Sequence, residues 1–361
     1  MGMMNSQGHV FIALSGGVDS AVSAALLLSQ GYQVTGIYMD TWKDPLWSNR
    51  KQGLGTSKEL ARQTAKVLQI PFISFDVKTQ FYKDVVLKFI EDYLQGLTPN
   101  PCLFCNPRIK WGILQSYALE NGAEFFATGH YAQLERDMLG KVHLFRGKDK
   151  SKDQSYVLAL LSQSQLQKTL LPIGLHSKIE VRSYAQSLKL PVADREESQD
   201  LCFLGINDYR DFLDRFSTKP IEPGKIVNQK GEVVGSHQGL PFYTIGQRKG
   251  IRVAASEPYY VIGKDLTKNH LLVGFDNEAC QDHLVVGSSN WISGQQPICG
   301  EFYDVMIRYR AKPVKAILFS STGENFRLKF NQPQRGITPG QVAVLYSGEE
   351  CLGGGVILPN N

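Results

Sequence analysis

The chain has 361 residues, 42% hydrophobic and 20% charged, with a formal net charge of +5. That length argues for two or three domains, and no apolar run approaches the ~20 residues a membrane helix needs. The N-terminal stretch lacks a basic region followed by a long apolar core, so a secretory signal is not expected and the protein reads as cytoplasmic.

The first feature along the chain is an apolar run, Val10-Phe11-Ile12-Ala13-Leu14. Ser15-Gly16-Gly17-Val18-Asp19-Ser20 follows, and then a stretch of helical character from Ala21 to Gln30. This order predicts strand, glycine turn and helix. Two glycines let backbone approach an anion closely, and unpaired N–H groups at the helix start point toward it. Ser15 and Ser20 add hydroxyl donors. Asp19 repels a phosphate but suits a magnesium ion that bridges phosphates. The loop lacks the lysine of the G-x-x-x-x-G-K-[ST] motif, which argues against γ-phosphoryl transfer. Its six residues resemble the pyrophosphate loop of ATP pyrophosphatases. That resemblance implies ATP cleavage between the α and β phosphates and adenylation of a substrate oxygen.

Next, Gln33 to Asp40 predicts a second strand and residues 41–55 a mobile polar loop. Thr56 to Leu68 has helical spacing with a capping candidate, Thr56 or Ser57. Pro71 to Phe75 predicts a third strand. Phe81, Val85, Phe89 and Tyr93 mark one face of an amphipathic helix ending at Gly96. In Thr98-Pro99-Asn100-Pro101-Cys102-Leu103-Phe104-Cys105-Asn106-Pro107-Arg108, the prolines before Cys102 predict extended backbone. Asn106 and Pro107 suit an N-cap and first helical residue. This places Cys105 just ahead of a helix N-terminus, near Arg108 and Lys110, a setting that favours its thiolate. Ala123 to Ala127 predicts a fourth strand, with Thr128-Gly129-His130-Tyr131 at its carboxyl end.

Alternating strands and helices imply a doubly wound parallel α/β sheet, so the loops at Ser15, Met39 and Gly129 are expected to face one cleft. After Cys202-Phe203-Leu204-Gly205 helix signals fade. Pro220 to Gly250 is dense in glycine and proline, and from His283 onward alternation predicts a small β-barrel. The expected division is 1–206, 207–277 and 278–361.

Of the six cysteines, Cys280, Cys299 and Cys351 read as structural. Cys102, Cys105 and Cys202 fit either reactive thiols or three ligands of an iron–sulfur cluster with one open iron, and spacing does not choose between these. Arg308, Arg310, Lys312, Lys315, Arg327, Lys329 and Arg335 fall in one C-terminal stretch. They are equally consistent with a solvated surface and with a phosphate-backbone footprint.

Ala13 to Ser20, Tyr38-Met39-Asp40, Thr98 to Pro101 with Cys105-Asn106, Ala127 to Tyr131, Lys152 to Tyr156, Ser198 to Phe203, Gly246 to Gly250, Arg308-Tyr309-Arg310 and Pro339-Gly340-Gln341 occur in that order. Together they resemble the tRNA-specific 2-thiouridylase family over nearly the whole chain. The resemblance implies a pyrophosphate-loop catalytic domain, a small central domain and a C-terminal β-barrel, the latter two gripping tRNA. It implies ATP contacts at Ala13, Leu14, Ser15, Gly16, Gly17, Val18, Asp19, Ser20, Met39 and Gly129, with magnesium reaching Asp19 through ATP. It puts Asn100, Pro101 and Cys102 at the target base. It assigns tRNA contacts to His130, Lys152, Asp153, Gln154, Arg308, Tyr309 and Gln341. Cys105 is implied as nucleophile and Cys202 as persulfide carrier, the two forming a disulfide in turnover. The sulfur is implied to come from a donor protein, a cysteine desulfurase or relay protein. The implied reaction adenylates O2 of the wobble uridine and replaces it with persulfide sulfur. Many members carry aspartate where this chain has Cys102, which adds weight to the iron–sulfur alternative; the persulfide route is preferred. Another pyrophosphate-loop ligase acting on a small molecule is the remaining enzyme alternative.

Overall fold

A computed structural model describes residues 7–46, 56–196, 201–204 and 208–359. Ser198, Gln199 and Asp200 of the motif before Cys202, and most of the predicted 41–55 loop, lie outside them.

The N-terminal part is built on a five-stranded parallel sheet. Its strands are β1 (His9–Ala13), β2 (Gln33–Asp40), β3 (Phe72–Asp76), β4 (Phe125–Ala127) and a later two-residue strand, Thr169–Leu170, in the order β3-β2-β1-β4 and then Thr169–Leu170. Val10, Phe11 and Ile12 are buried on both faces, as a central parallel strand requires. The chain order β1, β2, β3 runs outward to one side, and β4 returns to the other. The strand order therefore reverses beside β1, and the carboxyl ends of β1 and β4 border the crevice where such sheets bind ligands.

Helix α1 (Val18–Ser29) follows β1 directly and is buried on most of its surface, from Val18 through Leu27. It is a core helix, which explains why its sequence is alanine- and leucine-rich without a polar stripe. Helix α2 (Ser57–Val67) is amphipathic, and Thr56 caps it by accepting from the Glu59 N–H at 3.2 Å. The long helix predicted from Phe81 runs as Lys78–Phe81, Tyr82–Leu87 and Lys88–Leu94, with the middle segment wound as a π-helix.

The helix at the cysteines departs from the sequence reading. It starts at Asn100, not Asn106. Asn100 caps it by accepting from the Cys102 N–H at 3.2 Å, Pro101 is the first helical residue, and Cys105 closes the first segment, Pro101–Cys105. The chain continues without a break as a π-wound segment, Asn106–Leu114, and then Gln115–Glu120. Asn100-Pro101 and Asn106-Pro107 carry the same cap signature, and the chain uses the first. The wider winding accommodates Pro107, whose ring and missing N–H would break an α-helical turn.

Two elements escape the sequence reading. A hairpin, β5 (Ala132–Arg136) and β6 (Val142–Arg146), follows β4 where the sequence suggests no strand. A helix, Tyr209–Phe216, stands where helix signals were thought to fade. Phe212 and Leu213 are its buried side, and Asp208 caps it.

The central part forms a four-stranded sheet from Gly224–Asn228, Val233–His237, Tyr260–Asp265 and His270–Gly274. The C-terminal part is the expected barrel. Its strands are Cys280–Trp291, Phe302–Met306, Val314–Thr322, Asn325–Arg335, Val342–Ser347 and Glu350–Ile357. It closes by pairing of the first with the last, Val286 opposite Ile357. Strand β6 adds to the barrel beside Glu350–Ile357, so the N-terminal part contributes two strands to the barrel's sheet.

Candidate functional site: a glycine loop and three neighbouring thiols

The turn between β1 and α1 is shaped by two close approaches. Gly16 has φ +75°, and a Cβ there would lie 2.1 Å from the Ser57 carbonyl oxygen, so no other residue fits. Gly129, at the carboxyl end of β4, abuts the start of α1: a Cβ would lie 2.7 Å from the Ser20 nitrogen. The loops at Ser15 and Gly129 therefore meet, as the topology predicted.

Hydroxyls hold the loop open. The Ser15 N–H donates to Ser20 Oγ at 3.2 Å, the Gly17 N–H donates to Ser15 Oγ at 3.3 Å, and Ser20 Oγ donates to the Gly17 carbonyl at 3.1 Å. Arg195 braces it from behind, donating to the Gly16 carbonyl and, at 2.9 Å, to Ser57 Oγ. A loop set in place by its own side chains loses little entropy when an anion arrives. Asp19, on the first turn of α1, accepts from Lys178 Nζ at 2.7 and 2.9 Å and from the Tyr131 hydroxyl at 2.7 Å. Its carboxylate is the oxygen ligand at the loop suited to magnesium, and its side chain is one-third exposed. Met39, at the end of β2, is half-buried beside this crevice. Lys178, Arg195 and Tyr131 were not assigned to the site from sequence. The Ser177-Lys178-Ile179-Glu180 capping box was readable, but nothing in it shows a partner 159 residues away.

The three cysteines lie within electrostatic range of one another and of Lys110. Cys105 is buried, and burial pushes its thiol far up, with Lys110 opposing. This overturns the expectation of a thiolate-prone Cys105: one turn inside the helix, it has lost both the helix N-terminus and water. Cys102 holds the N-terminal place and is exposed, yet the protein packed around its sulfur raises its thiol too. Cys202 is exposed in the same sense. Desolvation, followed by the neighbouring Cys102, pushes its thiol up to about 11. Phe203, fully buried among Phe81, Phe89 and Phe212, anchors the Cys202 segment. Burying such a ring contributes about 2–3 kcal/mol. Among the described residues, no group of three His, Cys, Asp or Glu side chains is placed to hold a metal ion.

Lys110 also donates to His130 Nε2 at 3.4 Å, and His130 Nδ1 meets Thr128 Oγ1 at 2.7 Å. Burial, helped by Lys110, holds His130 well below the ordinary imidazole range and therefore neutral. The His130 ring packs on Trp111 and faces inward.

The segment ahead of Asn100 is clamped by the barrel. The Thr98 N–H donates to the Pro339 carbonyl at 2.9 Å, Gln341 Nε2 donates to the Thr98 carbonyl at 2.7 Å, and Thr98 Oγ1 meets Thr244 Oγ1 at 3.3 Å. Asp153 and Gln154 are similarly occupied. Asp153 accepts from the N–H groups of Gly147 and Ser155, and Gln154 Oε1 accepts from the Tyr131 N–H at 3.0 Å. Lys152 is half-buried beside them. Arg308 is exposed, and Tyr309 packs near Tyr156 with the Arg310 guanidinium over its ring. Two of the C-terminal basic residues are held in ion pairs. Arg335 pairs with Asp276 and Lys315 with Asp304, while Arg327 and Lys329 line an exposed strand face.

The fold and this site define a nucleotide-binding α/β domain of the HUP type that carries a glycine loop, three neighbouring thiols and two β modules. The chain matches family profiles described as the tRNA methyl transferase HUP domain over residues 8–206, the tRNA methyl transferase PRC-barrel domain over 210–275, and the aminomethyltransferase β-barrel domain over 281–357. Among characterised relatives, the tRNA-specific 2-thiouridylase MnmA of Carboxydothermus hydrogenoformans is 42% identical over 353 residues, covering 96% of this chain and 97% of that one. Its namesake in Moorella thermoacetica is 41% identical over 350 residues, covering 96% and 98%. The one in Lacticaseibacillus paracasei is 40% identical over 363 residues, covering 98% and 95%. A solved 4-thiouridine synthetase–RNA complex with bound ATP aligns with 58% of this chain and 50% of its own at 16% identity, with a TM-score of 0.38, too slight a likeness to carry an argument. The chain belongs to the tRNA-specific 2-thiouridylase family.

Proposed function

We propose that this chain catalyses ATP-dependent 2-thiolation of the wobble uridine of tRNA in the cytoplasm. The observations that carry the reading are a braced phosphate loop and three mutually close thiols linked through the loop after β4: Gly129 abuts the start of α1, and Lys110, which reaches His130, lies within electrostatic range of all three cysteines. ATP lies along Ala13 to Ser20, with Met39 and Gly129 at its nucleoside side and Asp19 offering its carboxylate to magnesium, which would supply phosphate charge neutralisation. Uridine O2 attacks the α-phosphorus, pyrophosphate leaves, and C2 then carries an adenylate leaving group.

The terminal sulfur of a Cys202 persulfide displaces AMP from C2. Cys105, as thiolate, attacks the Cys202 sulfur. The old sulfur–sulfur bond breaks, its electron pair stays on the sulfur now bound to C2, and a Cys105–Cys202 disulfide remains for an external thiol to reduce. Cys105 has to lose its proton first, and Lys110 is the neighbouring group that favours this. Asn100, Pro101 and Cys102 adjoin the base. Lys152, Arg308 and Tyr309 offer side chains to tRNA, while His130, Asp153 and Gln154 act in tRNA binding mainly by shaping the surface that does so, and Gln341 acts by holding the Thr98 segment that leads to the base. A sulfur-donor protein charges Cys202. The units are 1–206, 207–277 and 278–361, with the hairpin β5–β6 crossing the last boundary.

The test is mass analysis of tRNA nucleosides after incubation with ATP, magnesium and a donor of persulfide (sulfane) sulfur. A uridine that gains one sulfur in place of oxygen, with AMP and pyrophosphate formed, is expected. Pyrophosphate release indifferent to tRNA would replace this reading with a small-molecule ligase. Iron analysis of anaerobically purified protein decides the sulfur route. Activity without iron is expected, and about four irons per chain, lost in Cys102→Ser, would replace the persulfide with a cluster.

A further inference from the structure

The glycine loop brings no cation to a ligand that carries a triphosphate. The structure delivers one from a distant part of the chain. Lys178 is the first residue of the helix Lys178–Ser187. Its backbone is fixed by a reciprocal cap. The Glu180 N–H donates to Ser177 Oγ at 3.2 Å, and the Ser177 N–H donates to Glu180 Oε2 at 2.5 Å. The Lys178 N–H donates to Asp149 Oδ2 at 3.0 Å. Val181 and Ala185 of the same helix pack with Val18, Ala21 and Val22 of α1. The helix is thus fastened to the one that starts at the phosphate loop, and Lys178, 8% exposed, reaches inward to both oxygens of Asp19.

A nearly buried ion pair is weak evidence for a stabilising role, because desolvation offsets most of the attraction. Its place at the mouth of an anion site points to ligand chemistry. We propose that Lys178 is the phosphate-binding cation of this site, moving from Asp19 onto the β- and γ-phosphate oxygens of ATP and remaining on the pyrophosphate as it leaves. The assignment rests on the adenylation reading above. In that step the bond from the α-phosphorus to the bridging oxygen breaks, and its electron pair passes to pyrophosphate. A point-charge ammonium already desolvated beside those oxygens stabilises the developing charge more than the ground state. The exchange also leaves the Asp19 oxygens to the magnesium that accompanies ATP. The loop's missing lysine is therefore present in space though absent from the motif.

The test uses the full chain with Lys178→Met, which keeps the apolar stem, and Lys178→Arg, which keeps the charge. tRNA-dependent pyrophosphate release is measured with ATP and magnesium. Binding of inorganic pyrophosphate and of AMP is measured separately by calorimetry without tRNA. Lys178→Met is expected to slow pyrophosphate release about 10²–10³-fold. It should weaken pyrophosphate binding about tenfold or more while AMP binding stays within about twofold, and Lys178→Arg should restore most of the pyrophosphate affinity. Release within about threefold of the parent, or equal loss of pyrophosphate and AMP binding, overturns the assignment. If the Met variant does not fold, the Arg variant decides: retained affinity for both probes supports a charge-dependent site, and loss of both overturns it. If the parent itself releases no pyrophosphate, the adenylation reading fails, while the pyrophosphate–AMP contrast still tests Lys178.

Discussion

At the residue scale, the thiols differ in environment. Cys105 is buried and Cys202 reaches the surface, which suits the roles proposed for them, resolving thiol and persulfide carrier. Cys105→Ser and Cys202→Ser should each reduce tRNA thiolation at least about 10³-fold, because a hydroxyl replaces a nucleophile that becomes covalently bonded. Pyrophosphate release should persist in both, because adenylation is complete before either sulfur forms a bond. Measuring both products from one reaction checks this, and thiolation that survives either change removes the sulfur route. The raised thiol of Cys202 adds a pH test. A thiol whose value lies near 11 is protonated throughout neutral pH, and its thiolate fraction grows tenfold per pH unit until that value is approached. Alkylation of Cys202 by iodoacetamide, followed by peptide mass analysis of the free chain, should therefore keep rising to at least pH 10. A plateau near pH 8 would show that Lys110 and Lys43 outweigh burial.

At the element scale, the clamp on Thr98 ties the start of the Pro101–Cys105 helix to the barrel. Gln341 is the barrel's side-chain member of that clamp, and a Cβ on neighbouring Gly340 would press on Leu97 and Thr98 at 3.0 Å, so the fit is tight. Gln341→Ala should lower the thiolation rate at saturating tRNA about tenfold with tRNA affinity changed less than about threefold. The reverse pattern, weak binding with a normal maximal rate, would make Gln341 an RNA contact instead. The same region shows what local sequence can and cannot specify. The phosphate loop was readable because a strand, two glycines and a helix are adjacent, and every force that shapes them acts within a dozen residues. The cysteine helix was misplaced by six residues because two Asn-Pro pairs satisfy the same local rule, and the choice is made by tertiary packing around buried Leu103, Cys105 and Ile109. Lys178 and Gln341 were illegible as partners of Asp19 and Thr98 because no local pattern encodes a contact between distant segments.

At the scale of the whole molecule, the catalytic part and the barrel share one core despite lying at opposite ends of the sequence. Strand β6 pairs with Glu350–Ile357, setting Leu144 opposite Cys351. The Tyr156 hydroxyl donates to the Val342 carbonyl at 2.8 Å, and Asn290 Nδ2 donates to the carbonyls of Ala159 and Leu161 at 3.0 and 2.9 Å. Val342, Val344, Tyr346 and Cys351 of the barrel belong to the same buried cluster as Phe11, Phe89 and Trp111 of the catalytic part. Removing the barrel would leave these partners facing water and open an edge strand at β6, a template for aggregation. A chain ending at residue 277 should therefore be recovered in aggregates. The intact chain should melt in a single transition by both calorimetry and tryptophan fluorescence, because one buried cluster runs through both parts and couples their own cores. A truncated chain that remained monomeric and bound ATP within about twofold of the parent would show the two cores to be separable. In that case the barrel's grip on Thr98 would be a contact between docked domains, not part of the framework on which the Pro101–Cys105 helix is built.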